Sequence, residues 1–144
     1  EIALRMESAD HESDRKMFED RGWTLADPGR LRGFDDYRNY IAASRAEFSV
    51  AHNRYVEFNT GWLSDRSALY LASGKPVLVQ STGIEGHLPT GKGLLTFSSM
   101  DEARAGIAAI NADYEGHGRA AREIAEQHFD SDRVLAEVLG QIEA

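Results

Sequence analysis

The segment from Asn59 to Gln80 constrains the fold more than any other part of the chain. It predicts a loop around Gly61, a helix after Trp62, a turn at Ser73-Gly74-Lys75-Pro76 and a buried strand at Val77-Leu78-Val79-Gln80. A helix that leads through a tight turn into a short apolar strand is the repeating unit of α/β proteins. The rest of the chain can therefore be tested for the same alternation.

Short strands and helices do alternate along the remaining sequence. Helices are predicted at Asp10 to Gly22 and Asp35 to Ser44, and strands at Trp23 to Ala26, Ala46 to Ala51 and Gly93 to Ser98. Two or three helices close the chain, with apolar stripes at Ala103, Ile107 and Ile110, at Ala121, Ile124 and Ala125, and at Val134, Leu135, Val138, Leu139 and Ile142. This order predicts an α/β, Rossmann-like parallel sheet flanked by helices, in a single domain over residues 1–144.

Local signals mark several element ends. Gly22 is a typical helix stop, and Asp27-Pro28-Gly29 has the chemistry of a turn. Ser99 and Glu102 have the spacing of a capping box at the start of a helix.

Composition narrows the possible functions. With 144 residues, of which 42% are hydrophobic, the chain can bury the core of one globular domain. Its formal net charge of -8 argues against nucleic acid or an anionic membrane as the main partner, because both need clustered Lys and Arg. The chain has no cysteine, which excludes disulfides, thiolate metal sites and a cysteine nucleophile. No apolar run approaches the roughly 20 residues that span a bilayer, so a cytoplasmic location is predicted.

A glycine at the mouth of a helix suggests an anion site. Gly61 lets backbone N–H groups approach an anion, and the helix that follows supplies the positive end of its dipole. Phosphate is the natural ligand, and Arg66 could donate to the same anion from one turn inside the helix. Thr82 and Gly83 follow the next strand, so both loops are expected to line one crevice at the carboxyl end of the sheet.

The uncharged residues of this loop also have an ordinary structural interpretation. Gly61 can serve a plain turn whose helix is capped by Thr60 or Ser64, and the spacing alone favours that interpretation. Trp62 can stack on a flat ligand ring, although a tryptophan beside a helix start is more often packed into the core.

The charged residues are equally open to two interpretations. Arg66 can bind an anion, or it can pair with Glu57 or Asp65. Glu85 can contact a ligand hydroxyl, or it can face water.

The segment from Gly86 to Gly93 approximates a phosphate-binding P-loop, but Gly93 stands where that motif needs a hydroxyl residue and a strand follows instead of a helix. It is predicted to be a mobile, hairpin-like loop with a solvated Lys92. The five histidines lack the paired spacing of a helical zinc site, so no metal and no cofactor are predicted. No catalytic triad can be recognised from residue order.

Several short motifs follow one another in a specific order. Gly61-Trp62-Leu63-Ser64, Ser73-Gly74-Lys75-Pro76-Val77, Thr82-Gly83 and Leu88-Pro89-Thr90-Gly91 lie between Tyr40 and the helices that carry Ala120-Ala121-Arg122 and His128-Phe129-Asp130-Ser131. This series resembles the carboxyl-terminal domain of a bacterial group of GT-B glycosyltransferases. In that family the carboxyl-terminal half holds a nucleotide-diphosphate sugar, while the amino-terminal half brings the acceptor. The resemblance therefore implies the donor half of a hexosyltransferase.

The resemblance also implies two groups of site residues. The donor-diphosphate group is Gly61, Trp62, Ser64 and, on charge grounds, Arg66. The sugar-side group is Thr82, Gly83 and Glu85. The catalytic residue stays unknown, because any general base would come from the amino-terminal domain of the same chain, and family members generally work without a metal.

Two departures from the family pattern keep an alternative open. Retaining members carry two glutamates eight positions apart, and the corresponding positions here are Gly61 and Leu69. The plant-like pattern has a histidine and a later glutamate where this chain has Asn59 and Ser67. The alternative function is a non-catalytic glycosyltransferase-like interaction or regulatory module. A third hypothesis is a phosphate-sensing flavodoxin-like domain. Such a domain needs an acidic pocket with an Asp at the end of a strand, and this sequence shows none.

The first residue is Glu1, with no initiator methionine before it. We therefore expect the chain to be a fragment of a longer two-domain protein. An active enzyme is expected only if the full-length chain carries the acceptor domain, and the fragment alone is expected to be inactive.

Overall fold

The computed structural model describes residues 2–3, 11–27, 29 and 31–142. Its contacts divide the chain into two compact units, Glu1–Tyr40 and Ile41–Ala144, and each unit is described by itself. One domain over residues 1–144 stays a prediction. Asp10 and Pro28, which the sequence places in a helix and in a turn, lie outside the described residues.

The first unit contains a small parallel pair of strands. β1 (Ile2–Ala3) pairs with β2 (Leu25–Ala26), and α1 (His11–Glu19) lies between them in the chain. The predicted helix stop is confirmed, because Gly22 has φ of +79° and its N–H donates to the carbonyl of Glu19. α2 (Phe34–Ala43) follows and includes most of the helix predicted from Asp35 to Ser44.

The second unit is built on a three-stranded parallel sheet. β3 (Glu47–Ser49), β4 (Val77–Gln80) and β5 (Leu94–Phe97) are arranged in the order β3-β4-β5. α3 (Asn53–Glu57) and α4 (Asp65–Ala72) connect β3 to β4, and a 3-10 turn (Ile84–Gly86) lies between β4 and β5. The predicted α/β, Rossmann-like parallel sheet flanked by helices is confirmed.

α5 (Met100–Ala112) covers one face of this sheet. The residues of this core layer are Leu78, Leu95, Phe97, Ala103 and Ile110. A Cβ at Gly106 would come within 2.8 Å of the Leu78 side chain, so the helix backbone lies directly on the central strand. Close packing of this kind needs a residue without a side chain.

α4 covers the opposite face, and α6 (Tyr114–His128) packs against α4. Residues alternate between faces along a strand, so Val77 and Leu94, both fully buried, point away from the α5 layer. Leu71 of α4 and Ala121 of α6 are also fully buried. The sheet is therefore covered on both faces, as its continuous apolar strands indicate.

The stripe predicted on α5 is wrong at Ile107, which is 49% exposed. Ala103, Gly106 and Ile110 are the buried positions of α5. Ile107 lies one residue, about 100° around the helix, from Gly106, so it faces away from the sheet.

α7 (Ser131–Ile142) is a helix, as predicted, and contacts α6. No residue of α7 is buried. Its apolar stripe is exposed along its length, with fractions from 41% to 74% at Val134, Leu135, Val138, Leu139 and Ile142. None of the helices among the described residues combines the length and the apolar character needed to traverse a bilayer.

The capping box at the start of α5 is confirmed. The Glu102 N–H donates to Ser99 Oγ at 3.2 Å, and Glu102 Oε2 accepts the N–H of Ser98 at 2.6 Å. The return bond therefore reaches Ser98 rather than Ser99, the cap residue itself.

Lys92 is solvated, as predicted, because its side chain is 56% exposed, but it also has an acidic partner. Lys92 Nζ lies 3.1 Å from Oδ2 of Asp113, the residue that caps α6. The lysine pairing and the N–H of Gly116 both lower the pKa of the Asp113 carboxyl. Lys92 thus forms a surface ion pair between the loop before β5 and the start of α6.

Candidate functional site

The sequence-predicted site residues meet at the carboxyl edge of the sheet. The Gly61 N–H donates to the carbonyl of Thr82 at 2.6 Å, and the Thr82 hydroxyl donates to the carbonyl of Trp62 at 2.7 Å. Two backbone segments, residues 59–63 and 82–87, are joined by this exchange, and we call them the loop junction. In parallel α/β sheets, this edge is where ligands bind.

Two glycines of the loop junction are each covered by a side chain from the other segment. Gly61 has φ of +70°, and a Cβ there would lie 2.7 Å from Cδ2 of His87. Gly83 has φ of +86°, and a Cβ there would lie 2.5 Å from Oδ1 of Asn59. Both positions therefore need glycine for two reasons, the left-handed backbone and the space that His87 and Asn59 occupy.

The start of α4 is capped by its own residues. Ser64 Oγ accepts the N–H of Arg66 at 3.3 Å, and Asp65 Oδ1 accepts the same N–H at 2.9 Å. The capping interpretation of Ser64 is therefore confirmed. Among the residues that the structure describes, the N–H groups of Trp62, Leu63 and Asp65 have no acceptor.

The guanidinium of Arg66 points back to the sheet. Its Nε donates to Glu47 Oε1 at 2.7 Å, and its Nη2 donates to Ser49 Oγ at 3.1 Å. The Glu47 side chain is only 4% exposed, whereas that of Arg66 is 45% exposed. Arg66 therefore neutralises a buried carboxylate on the first strand of the sheet, a partner that the sequence did not indicate.

The surroundings of Glu47 are polar but incompletely paired. Glu47 Oε2 and Ser67 Oγ are buried and have no hydrogen-bond partner among the described residues. Tyr70 donates to Ser44 Oγ nearby at 3.2 Å. Burial raises the pKa of the Tyr70 hydroxyl, and the negative charge of Glu47 raises it further, while the Ser44 hydrogen bond and Arg66 act in the opposite direction.

Trp62 lies on the surface in an aromatic stack. Its ring stacks on Tyr55 with centroids 4.7 Å apart and an interplanar angle of 5°. The guanidinium of Arg54 lies over the Tyr55 ring at 5.2 Å. Trp62 is 37% exposed, so the predicted core packing of this residue is wrong, because Tyr55 provides a stacking partner at the surface.

The side chains of the sugar-side residues differ in their exposure to solvent. The Thr82 side chain is buried, and its hydroxyl is used within the loop junction. Glu85 is exposed at the first turn after β4. Burial raises the pKa of the Glu85 carboxyl, but hydrogen bonds from its own N–H, Thr96 and Ser81 outweigh that effect, so the pKa lies below its ordinary value.

Sequence reasoning missed three residues of this region, which are Glu47, Asn59 and His87. Nothing in the sequence marks Glu47 as buried, because glutamate is usually exposed. His87 reaches Gly61 only through the turn after β4. Asn59 did carry a signal, since asparagine adopts a left-handed backbone more readily than other non-glycine residues, and its φ is +49°.

Within the described ranges, no group of three or more His, Asp or Glu side chains comes together in a form that could hold a metal ion. The absence of a metal stays a prediction.

Comparison with known proteins identifies the family. A family model described as glycosyl transferase-like matches residues 13–140, which is most of the chain. No curated protein and no solved structure gives a significant match. The parallel sheet with a loop junction at its carboxyl edge and the extent of this match together show that the chain belongs to the glycosyl transferase-like family.

Proposed function

We propose that this chain is the nucleotide-diphosphate-sugar binding domain of a GT-B glycosyltransferase, which transfers a hexosyl group to an acceptor held by an amino-terminal domain. The family supports glycosyl transfer in general. The donor, the hexosyl group and the second domain belong to the proposal.

The loop junction is the observation that carries this proposal. Together with the start of α4, it presents the N–H groups of Trp62, Leu63 and Asp65, which have no acceptor among the described residues. Backbone N–H groups at a helix start favour a phosphate group, because their dipoles are fixed before the ligand arrives. Glu85 lies on the same edge, where a carboxylate can accept hydrogen bonds from sugar hydroxyls.

The chemical problem in glycosyl transfer is the negative charge that develops on the departing diphosphate. Donors already oriented toward that charge lower the barrier without reorganising during the reaction. Gly61 sets the direction of the Trp62 N–H because its φ of +70° is available mainly to glycine. A general base is expected from the acceptor domain, so we expect the 144-residue chain alone to bind a donor without turning it over.

A calorimetric titration with UDP- and TDP-sugars tests the proposal. We expect the wild-type chain to bind at least one of them and Gly61→Val to abolish binding, because the substitution strains the backbone and displaces His87. Gly22→Val is the matched control, since Gly22 also has positive φ, +79°, but belongs to the other unit and has open space around it. Equal binding by wild type and Gly61→Val would contradict the proposal.

One observation favours the alternative of a non-catalytic interaction or regulatory module. The positive charge of Arg66 is balanced by Glu47, and Asp65 adds a negative charge at the first position of α4. A dianionic ligand therefore meets little net positive charge there. Absence of binding by the wild-type chain to every nucleotide sugar, with the chain folded, would support this alternative.

A further inference from the structure

The predicted phosphate-binding groups of the loop junction and of the start of α4 are largely engaged by other protein groups. The Gly61 N–H is bonded to Thr82, and the Arg66 N–H is bonded to Ser64 and Asp65. The Arg66 guanidinium is held by Glu47 and Ser49. A diphosphate at this edge would therefore depend on a few backbone N–H groups unless other side chains contribute.

Two side chains of the loop junction fit that role. His87 lies against Gly61, with Nε2 2.9 Å from the position of an added Cβ. Asn59 lies against Gly83, with Nδ2 2.9 Å from the corresponding position. Both residues are exposed, and neither side chain has a hydrogen-bond partner among the residues that the structure describes.

The fold brings these two side chains to the same junction. Gly61 and Thr82 are hydrogen-bonded, so the two glycines are neighbours and both side chains border the same junction. Asn59 adopts a left-handed backbone, φ +49°, the one non-glycine residue in the described ranges that does so. Asparagine tolerates this backbone better than other non-glycine residues, so the turn can hold a polar side chain at this position.

We propose that His87 and Asn59 are ligand-binding residues, donating hydrogen bonds from the imidazole and the side-chain amide to the diphosphate of the bound donor. This inference rests on the proposed function, because it names the side chains that complete the same site. An imidazole N–H and an amide N–H both donate to phosphate oxygen, and a bond to a charged group is stronger than one to a neutral group.

The test compares wild type with two variants in titrations with pyrophosphate and UDP-glucose. We expect His87→Ala, which removes the imidazole donor, to weaken both affinities by about tenfold or more, the loss expected for one hydrogen bond to a charged group. Asn59→Gly keeps the left-handed backbone and removes only the amide, so its expected loss isolates the side chain. His128→Ala, at an exposed histidine that ends α6, is the matched control and should bind as wild type does.

The outcomes separate this inference from the proposed function. If the wild-type chain binds both probes and the two site variants bind them equally well, the inference is overturned while the donor site stands. If the wild-type chain binds neither probe, the proposed function fails and the inference fails with it. Thermal unfolding of each variant shows whether the fold is retained, and the ring signals of His87 in NMR spectra should shift on addition of pyrophosphate.

Discussion

The loop junction and the segment before β5 both contain glycines with positive φ, but these glycines have different surroundings. Gly61 and Gly83 have positive φ and are covered by exposed polar side chains. Gly93 also has positive φ, +80°, but a Cβ there would collide with the backbone of Ala120 and Ala121. A positive φ alone therefore says nothing about ligand binding.

The fate of the polar groups separates the two regions. The Gly93 N–H donates to Nδ1 of the buried His117 at 3.1 Å, and Lys92 is paired with Asp113. In the segment that approximates a P-loop in sequence, these two donors are thus already paired with residues at α6. In the loop junction, N–H groups and two side chains keep free hydrogen-bonding capacity within the described residues. Unpaired N–H groups, rather than positive φ, are therefore the feature of the loop junction on which the proposed donor site depends.

The largest expected effect concerns the segment before β5. Gly93→Ala should destabilise the fold by about 4 kcal/mol, because the new methyl group meets helix backbone that cannot yield easily. Gly91→Ala is the matched control, with φ of +98° and open space, and should cost only about 1–2 kcal/mol. Urea unfolding measures both values, and equal costs would show that strain, not packing, sets the requirement at Gly93.

The next effect concerns the ion pair beneath α4. Arg66→Ala should cost about 2–3 kcal/mol, since it leaves the buried Glu47 carboxylate unpaired. The value lies below that of a fully buried pair because the Arg66 side chain is 45% exposed. Adding Glu47→Gln to Arg66→Ala should restore part of the loss in urea unfolding. If the double variant is less stable than Arg66→Ala, the buried charge is not the cause.

Arg66 also illustrates where sequence interpretation reaches its limit. The capping box at Ser99 and the helix stop at Gly22 were predictable, because each depends on residues within one helical turn. The partner of Arg66 was not, because Glu47 comes from another element, 19 residues away in the chain, and its burial depends on tertiary packing. His87 was missed for the same reason. On α7 the apolar stripe was predicted correctly, but the sequence did not indicate that this stripe is exposed.

Acid should weaken both regions through two carboxylates. The pKa values of Asp113 and Glu85 lie below their ordinary values of 3.8 and 4.5. A lowered pKa in the folded state contributes stability that is present above the unfolded value and is lost as pH falls through the folded value. The melting temperature should therefore decrease as the pH is lowered below about 4.5. In Asp113→Asn this decrease should be smaller than in wild type. An unchanged pH profile in this variant would contradict the role of the Lys92 pairing.

The smallest effect concerns the charge at the start of α4. Asp65→Asn removes an exposed negative charge beside the open N–H groups. Diphosphate affinity should rise about threefold, because the variant loses a Coulomb repulsion of roughly 0.7 kcal/mol in water between the Asp65 carboxylate and the anion. Calorimetry with pyrophosphate at low salt measures the change, with Asp132→Asn on α7 as the control. An affinity that falls or stays constant would place the anion away from α4.

NMR mapping of backbone amides during titration with UDP-glucose tests the central claim most directly. The loop junction predicts shifts for the amides of Trp62 and Leu63 and for the His87 ring, with Lys92 and Gly93 unchanged. Shifts confined to Lys92 and Gly93, or no shifts at saturating donor, would contradict the assignment of the donor site to the carboxyl edge of the sheet.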